Sequence, residues 1–183
     1  MKEVRHINIE NGEVRSGENL LFSGGAGEFR TFSRELYREL ALDYGKFYKM
    51  SPLSKLGFLA AEFLLKDLDI AAWDPSMVSL VLANRSSSLH TDNIYQESVA
   101  HKPSPAIFVY TLPNIVIGEI CIRHGFKGEG VFYVQEKFDR EVLREHGALL
   151  LDSGEAGHCI FGWVEMDMDG AYKADLTLLA KEI

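Results

Sequence analysis

The chain has 183 residues, enough for one domain with a sizeable core and too few for two independent catalytic domains. With 46% hydrophobic and 25% charged residues, the composition is that of a folded globular protein and excludes a disordered or fibrous chain. A net charge of -8 without a Lys/Arg stripe excludes the phosphate backbone of a nucleic acid as the expected partner, because such binding rests on clustered cations that release counterions.

No apolar run is long enough to span a bilayer, and the start Met1-Lys2-Glu3-Val4-Arg5-His6 lacks the apolar core of a secretory signal. A cytoplasmic chain with no membrane span is therefore expected. Cys121 and Cys159 sit in apolar segments without CxxC spacing, so they read as buried thiols rather than as a disulfide framework or a zinc site.

Val4 to Glu10 alternates as a strand does, and Asn11-Gly12 after it is a hairpin dipeptide, so a strand pair opens the chain. Gly24-Gly25-Ala26-Gly27 has no Gly-Lys-Ser/Thr behind it and no strong strand before it, which makes it a flexible turn rather than a phosphate loop. Leu36, Leu40 and Phe47 recur at helical spacing between Ser33 and Phe47 and predict an amphipathic surface helix. From Pro52 to about Lys66 a buried helix is expected: Ser51 can cap it, Pro52 fits its first turn, and Leu56, Leu59, Ala60, Phe63 and Leu64 form an apolar face.

Met77 to Ala83 is a continuous apolar run before the polar Asn84 to Ser88 cluster, as in a central parallel strand covered on both faces. Thr91 to Val99 predicts a short helix capped by Thr91, and Ala106 to Tyr110 a short buried element. Pro113 to Arg123 reads as a helix, Gly125 to Gly130 breaks the chain, and Val131 to Val134 resumes as a strand. Phe138 to Leu150 is a helix with Val142, Leu143 and Leu149 inward; His158 to Met166 is a strand; Asp169-Gly170 turns the chain into the closing strand Tyr172 to Leu179. The alternation predicts one three-layer α/β domain over 1–183, with a mixed, mostly parallel sheet, helices on both faces and an antiparallel edge.

Few residues carry chemistry by pattern. Gly125-Phe126-Lys127-Gly128-Glu129-Gly130 leads into a strand instead of linking strand to helix, so its glycines serve a turn and not a dinucleotide. Ser86, His90 and Asp92 could form a polar site, but no nucleophile-elbow pattern surrounds them. The histidines at 6, 90, 101, 124, 146 and 158 lack paired ligand spacing, with His124 and His146 placed near helix ends, where a cation suits the dipole. Glu165, Asp167 and Asp169 alternate without an EF-hand pattern. Neither a metal nor a cofactor is expected.

Several segments, in order, resemble the N-terminal half of β-ketoacyl synthases of the thiolase superfamily, especially the short bacterial branch of aryl polyene and fatty-acid-like pathways. They are Met50 to Leu56 opening a helix, Val78 to Ala83 followed by Asn84 to Asp92, Ser104-Pro105 before Phe108, Leu112-Pro113-Asn114 opening a helix, and Gly125-Phe126-Lys127-Gly128. The resemblance implies a thiolase-like half domain and a short form without the C-terminal half that supplies the family's decarboxylating residues. The family's nucleophilic cysteine stands where a strand meets a helix N-terminus, which stabilises thiolate. Aligning the glycine turns places Lys137 near that position, with Gln135 and Glu136 beside it and no thiol.

By resemblance, then, the expected role is non-condensing. Gln135 is similar to the glutamine that often replaces the nucleophile in chain-length factors, the inactive partners of ketosynthases. In this superfamily the strand corresponding to Val131, Phe132, Tyr133 and Val134 pairs across a two-fold axis, which implies a homodimer or a heterodimer with a ketosynthase. Two alternatives stand beside it: an acyltransferase using Ser86, His90 and Asp92, and a docking module for acyl carrier protein using Arg34, Arg38, Lys46 and Lys49.

Overall fold

A computed structural model describes residues 1–25 and 27–181. Ala26, within the glycine-rich turn expected at 24–27, lies outside the described residues. The chain opens with β1 (Lys2–Glu10), β2 (Glu13–Ser16) and β3 (Asn19–Ser23). Asn11 and Gly12 both have positive φ, 52° and 78°, the backbone that a two-residue hairpin requires and that Asn-Gly adopts most easily. The third strand was not anticipated, because Asn19–Ser23 has neither strict alternation nor a buried face.

The first helix, α1, runs over Phe29–Glu39 and buries Phe29, Phe32 and Leu36. It begins before the predicted Ser33 and ends well before Phe47, because Ala41 turns left-handed (φ 49°). Phe47 is nonetheless fully buried, in a 3-10 turn over Gly45–Lys49. α2 (Pro52–Leu65) follows the expected bounds, and Ser51 Oγ accepts the Ser54 N–H at 3.2 Å as its cap.

β4 (Val78–Asn84) is buried at every position. α3 (Leu89–Val99) starts two residues before Thr91 and takes Ser88 as its cap residue, correcting Thr91. α4 (Pro105–Phe108) and the turn after it are not the buried element expected there: Phe108 and Val109 are exposed. α5 (Ile115–His124), β5 (Gly130–Val134), α6 (Arg140–Ser153), β6 (His158–Met166) and β7 (Tyr172–Ala180) complete the chain.

The seven strands form one sheet in the order β3-β2-β1-β7-β6-β4-β5. The sheet is mixed, as expected, but not mostly parallel. Only β4 with β5 and β4 with β6 are parallel, while β1/β2, β2/β3, β1/β7 and β6/β7 are antiparallel. The reason is local, since three of those antiparallel pairs are joined by hairpins too short for a crossover.

Alternation along the central strands divides the core in two. Leu80, Leu82, Ile160, Val164, Leu176 and Leu178 pack with α1, α2 and α5 on one face. Val81, Ala83, Cys159, Phe161, Trp163 and Leu179 pack beneath α6 on the other, which gives the expected three layers. Within α6, Leu143, Gly147, Leu150 and Leu151 face inward, and the predicted Val142 and Leu149 do not, being 50% and 64% exposed. No single helix among the described residues is long and apolar enough to cross a membrane.

Candidate functional site

The site marked by the glycine turn is the junction between β5 and α6. Gly128 lets the turn cross the start of β4: a Cβ there would stand only 2.4 Å from the Val78 carbonyl oxygen, and Lys127 N–H donates to Pro75 O at 2.8 Å. β5 then runs parallel to β4, pairing Leu80 with Gly130 through Asn84 with Val134, and Gln135 N–H extends the ladder to Asn84 O at 2.9 Å. Glu136 and Lys137 form an exposed bend. Phe138 returns to the core against Trp163, with ring centroids 5.5 Å apart.

α6 therefore starts at Arg140, and its orphan amides meet Asp139, whose Oδ1 accepts the Val142 N–H at 3.2 Å. Glu141 adds a second carboxylate in the first turn. At this helix start the positive end of the dipole already faces negative charge, and neither Gln135, Glu136 nor Lys137 can form a thioester. Gln135 Nε2 is shut from solvent without a hydrogen-bond partner among the described residues.

Neither cysteine reaches this junction. Cys121 lies within α5, where burial pushes its thiol up. Cys159 lies in β6 and is fully buried beneath mid-α6, where a Cβ on Gly147 would stand 3.0 Å from its sulfur. Burial, aided by Glu129, pushes that thiol up to about 12. Both environments oppose the thiolate that covalent chemistry needs.

Ser86, His90 and Asp92 are close in sequence, yet no hydrogen bond joins them. Asp92 is engaged by Ser88, whose hydroxyl lies 3.0 Å from Oδ1 and 2.5 Å from the Thr111 carbonyl oxygen. The loop before α3 is shaped instead by two residues that sequence reading passed over in that role. Buried Asn84 accepts from Ser87 N–H at 2.9 Å and donates to Ser87 O at 2.7 Å. Glu165 accepts the Arg85 N–H at 2.7 Å and the Ser86 N–H at 3.3 Å. Asp167 Oδ1 accepts from Asp169 and Ala171 N–H, so the acidic run serves a loop and a hairpin. Among the described residues no cluster of three His, Cys, Asp or Glu could hold a metal ion.

The remaining histidines have structural neighbours. His6 Nε2 lies 3.0 Å from Asp175, and His158 stacks on Trp73 at 3.8 Å, where burial lowers its pKa. His146 is inside α6, not at its end, with Nδ1 2.9 Å from the Tyr133 hydroxyl. His124 closes α5, as expected, and its Nε2 lies 3.3 Å from Glu62, which Arg123 also meets at 2.8 Å. Of the basic residues grouped from the sequence, Lys46 is held 2.9 Å from buried Glu119, to which Tyr110 also donates at 2.8 Å. Arg34, Arg38 and Lys49 remain exposed.

Neither a family model nor a curated protein matches the chain. Solved structures do match it. The ishigamide ketosynthase/chain length factor aligns with TM-score 0.66 at 14% identity, over 98% of this chain and 61% of that one. AntDE:AntF, a type II polyketide synthase acyl-carrier protein in complex with its ketosynthase bound to the hexaketide, gives 0.65 at 14% identity, over 98% and 62%. The ketosynthase ApeO in complex with its chain length factor ApeC from Xenorhabdus doucetiae gives 0.62 at 15% identity, over 99% and 79%. The fold is therefore the one that these ketosynthase and chain length factor structures share. This chain spans about three fifths of the length of the first two chains.

Proposed function

We propose that the chain is a non-condensing, ketosynthase-like protein of a fatty-acid, aryl polyene or polyketide-like pathway, which works by pairing with itself or with an active ketosynthase. The observation that carries this reading is the β5–α6 junction, where Asp139 caps the helix and no thiol stands within Gln135 to Asp139. Pairing is supported by the outer edge of β5, which ends the sheet and exposes Tyr133 and Val134. Exposed Leu89, Phe108, Val109 and Leu112 add apolar surface of the kind that association covers. The structures of similar fold include a ketosynthase in complex with its chain length factor.

Intact-mass measurement after incubation with an acetyl thioester tests the first half of the proposal. No adduct is expected, and a stoichiometric acyl adduct on the wild-type chain would overturn it. Native mass spectrometry of the chain alone and with a ketosynthase tests the second half. A dimer that Val134→Glu and Tyr133→Glu dissociate is expected, whereas a monomer in both experiments refutes pairing. Exposed Arg34, Arg38 and Lys49 favour carrier-protein docking as a second reading, which a pull-down with purified carrier protein distinguishes.

A further inference from the structure

A cavity of about 420 Å3 lies between the starts of α1, α2 and α3 and the β6–β7 turn, and shares no residue with the β5–α6 junction. Its lining combines apolar Phe29, Pro52 and Met166 with basic Arg30, Lys55 and His90. Lys55 is partly buried and forms no ion pair among the described residues; the charges that act on it most are those of Arg34 and Arg30, of its own sign. Burial first, and these two guanidinium groups next, lower its pKa. Its ammonium lies 5.5 Å from the centroid of the Phe47 ring. His90 Nδ1 is shut from solvent with no hydrogen-bond partner among the described residues.

A cation withdrawn from water beside other cations is costly unless an anion completes the site. The apolar walls call for an organic body on that anion, since small-molecule pockets combine apolar lining with a few convergent polar groups. Glu28 and Asp169 also line the cavity and weigh against a dianion such as a phosphate monoester. We propose that this cavity binds a small monocarboxylic acid, its carboxylate held by Lys55 and Arg30 with His90 donating from Nδ1, and its apolar body against Phe29, Pro52 and Met166. This site is separate from the proposed pairing edge and stands whether or not the chain pairs.

Calorimetric titration of the full chain with hexanoate, and separately with inorganic phosphate, tests the proposal. Saturable hexanoate binding is expected, weakened about tenfold or more by Lys55→Gln and by added salt, with phosphate weaker. Arg140→Gln, whose guanidinium lies over Phe161 beneath α6, leaves affinity unchanged. Unliganded Lys55→Gln melts no lower than wild type, because the substitution removes like-charge repulsion. Arg30→Gln, on an exposed side chain, repeats the test if Lys55→Gln fails to fold. No saturable hexanoate binding, phosphate binding of equal strength, or hexanoate affinity untouched by both substitutions overturns the proposal.

Discussion

Replacing Gly57 by alanine sets two effects of known size against each other. Gly57 sits in the interior of α2, where it crosses α5, and a Cβ there would stand 2.3 Å from Val116 Cγ1 and 3.4 Å from Val164 Cγ1. Alanine gains about 1 kcal/mol of helix propensity over glycine. Overpacking a filled core costs about 1–3 kcal/mol, so the net loss is about 1 kcal/mol. For a chain of this length that lowers the melting midpoint by about 2–4 °C.

The sharper readout is the pair with Val116→Ala. That substitution alone removes two buried methyl groups and costs about 2 kcal/mol. In the Gly57→Ala background it also relieves the clash. The double variant is therefore expected to be more stable than the sum of the single losses by about 1–3 kcal/mol, the overpacking energy itself. Urea denaturation followed by circular dichroism measures all four proteins. Additive losses, or a Gly57→Ala variant stabilised by the full propensity gain, would refute the reasoning about the α2–α5 crossing.

Three further outcomes follow from the site geometry. With its thiol pushed up to about 12, Cys159 carries about one thiolate in ten thousand at pH 8, so its alkylation by iodoacetamide, read by peptide mass spectrometry, is slower than that of a free thiol by about a thousandfold or more. Asp139→Ala removes the α6 cap and lowers unfolding free energy by about 0.5–2 kcal/mol, while Asp139→Asn retains most of it; equal losses would show that the cap geometry is not the cause. Burial acts to raise the Glu62 carboxyl, but hydrogen bonds and charge from His124 and Arg123 outweigh it and hold the carboxyl below its usual value. The stability that Glu62 contributes is present above the ordinary carboxylate pKa and is lost as pH falls through the depressed folded value. Denaturation series from pH 7 to 3 show wild type losing this increment on acidification, and a Glu62→Gln variant with an unchanged acid slope would contradict it.

Local chemistry was enough to place the Asn11-Gly12 hairpin, the Ser51-Pro52 helix start, the buried strand expected over Met77 to Ala83 (β4, shifted by one residue) and the Asp169-Gly170 return, because each rests on neighbours in sequence. The same locality placed the glycine turn before β5, and residue identity alone shows that Gln135 to Asp139 hold no thiol. The pairing of β1 with β7, antiparallel with no hairpin between them, depended on strands about 170 residues apart and had no local signature. Which side of α6 faces inward was likewise settled by the sheet beneath it, so Leu149 and Val142 stand in solvent while Gly147 packs on Cys159.

The amino-acid sequence by itself determined the Asn11-Gly12 and Asp169-Gly170 turns, the Ser51-Pro52 helix start and the absence of a thiol from Gln135 to Asp139, since backbone preference and residue identity act over a few positions. Only the tertiary structure decided where unlike charges meet and like charges crowd. Glu165 reaches the Arg85–Ser86 amides, Lys46 reaches Glu119, and Lys55 lies near Arg30 and Arg34 beside a cavity. Electrostatics and burial depend on distance in space, and the folded chain alone fixes that distance.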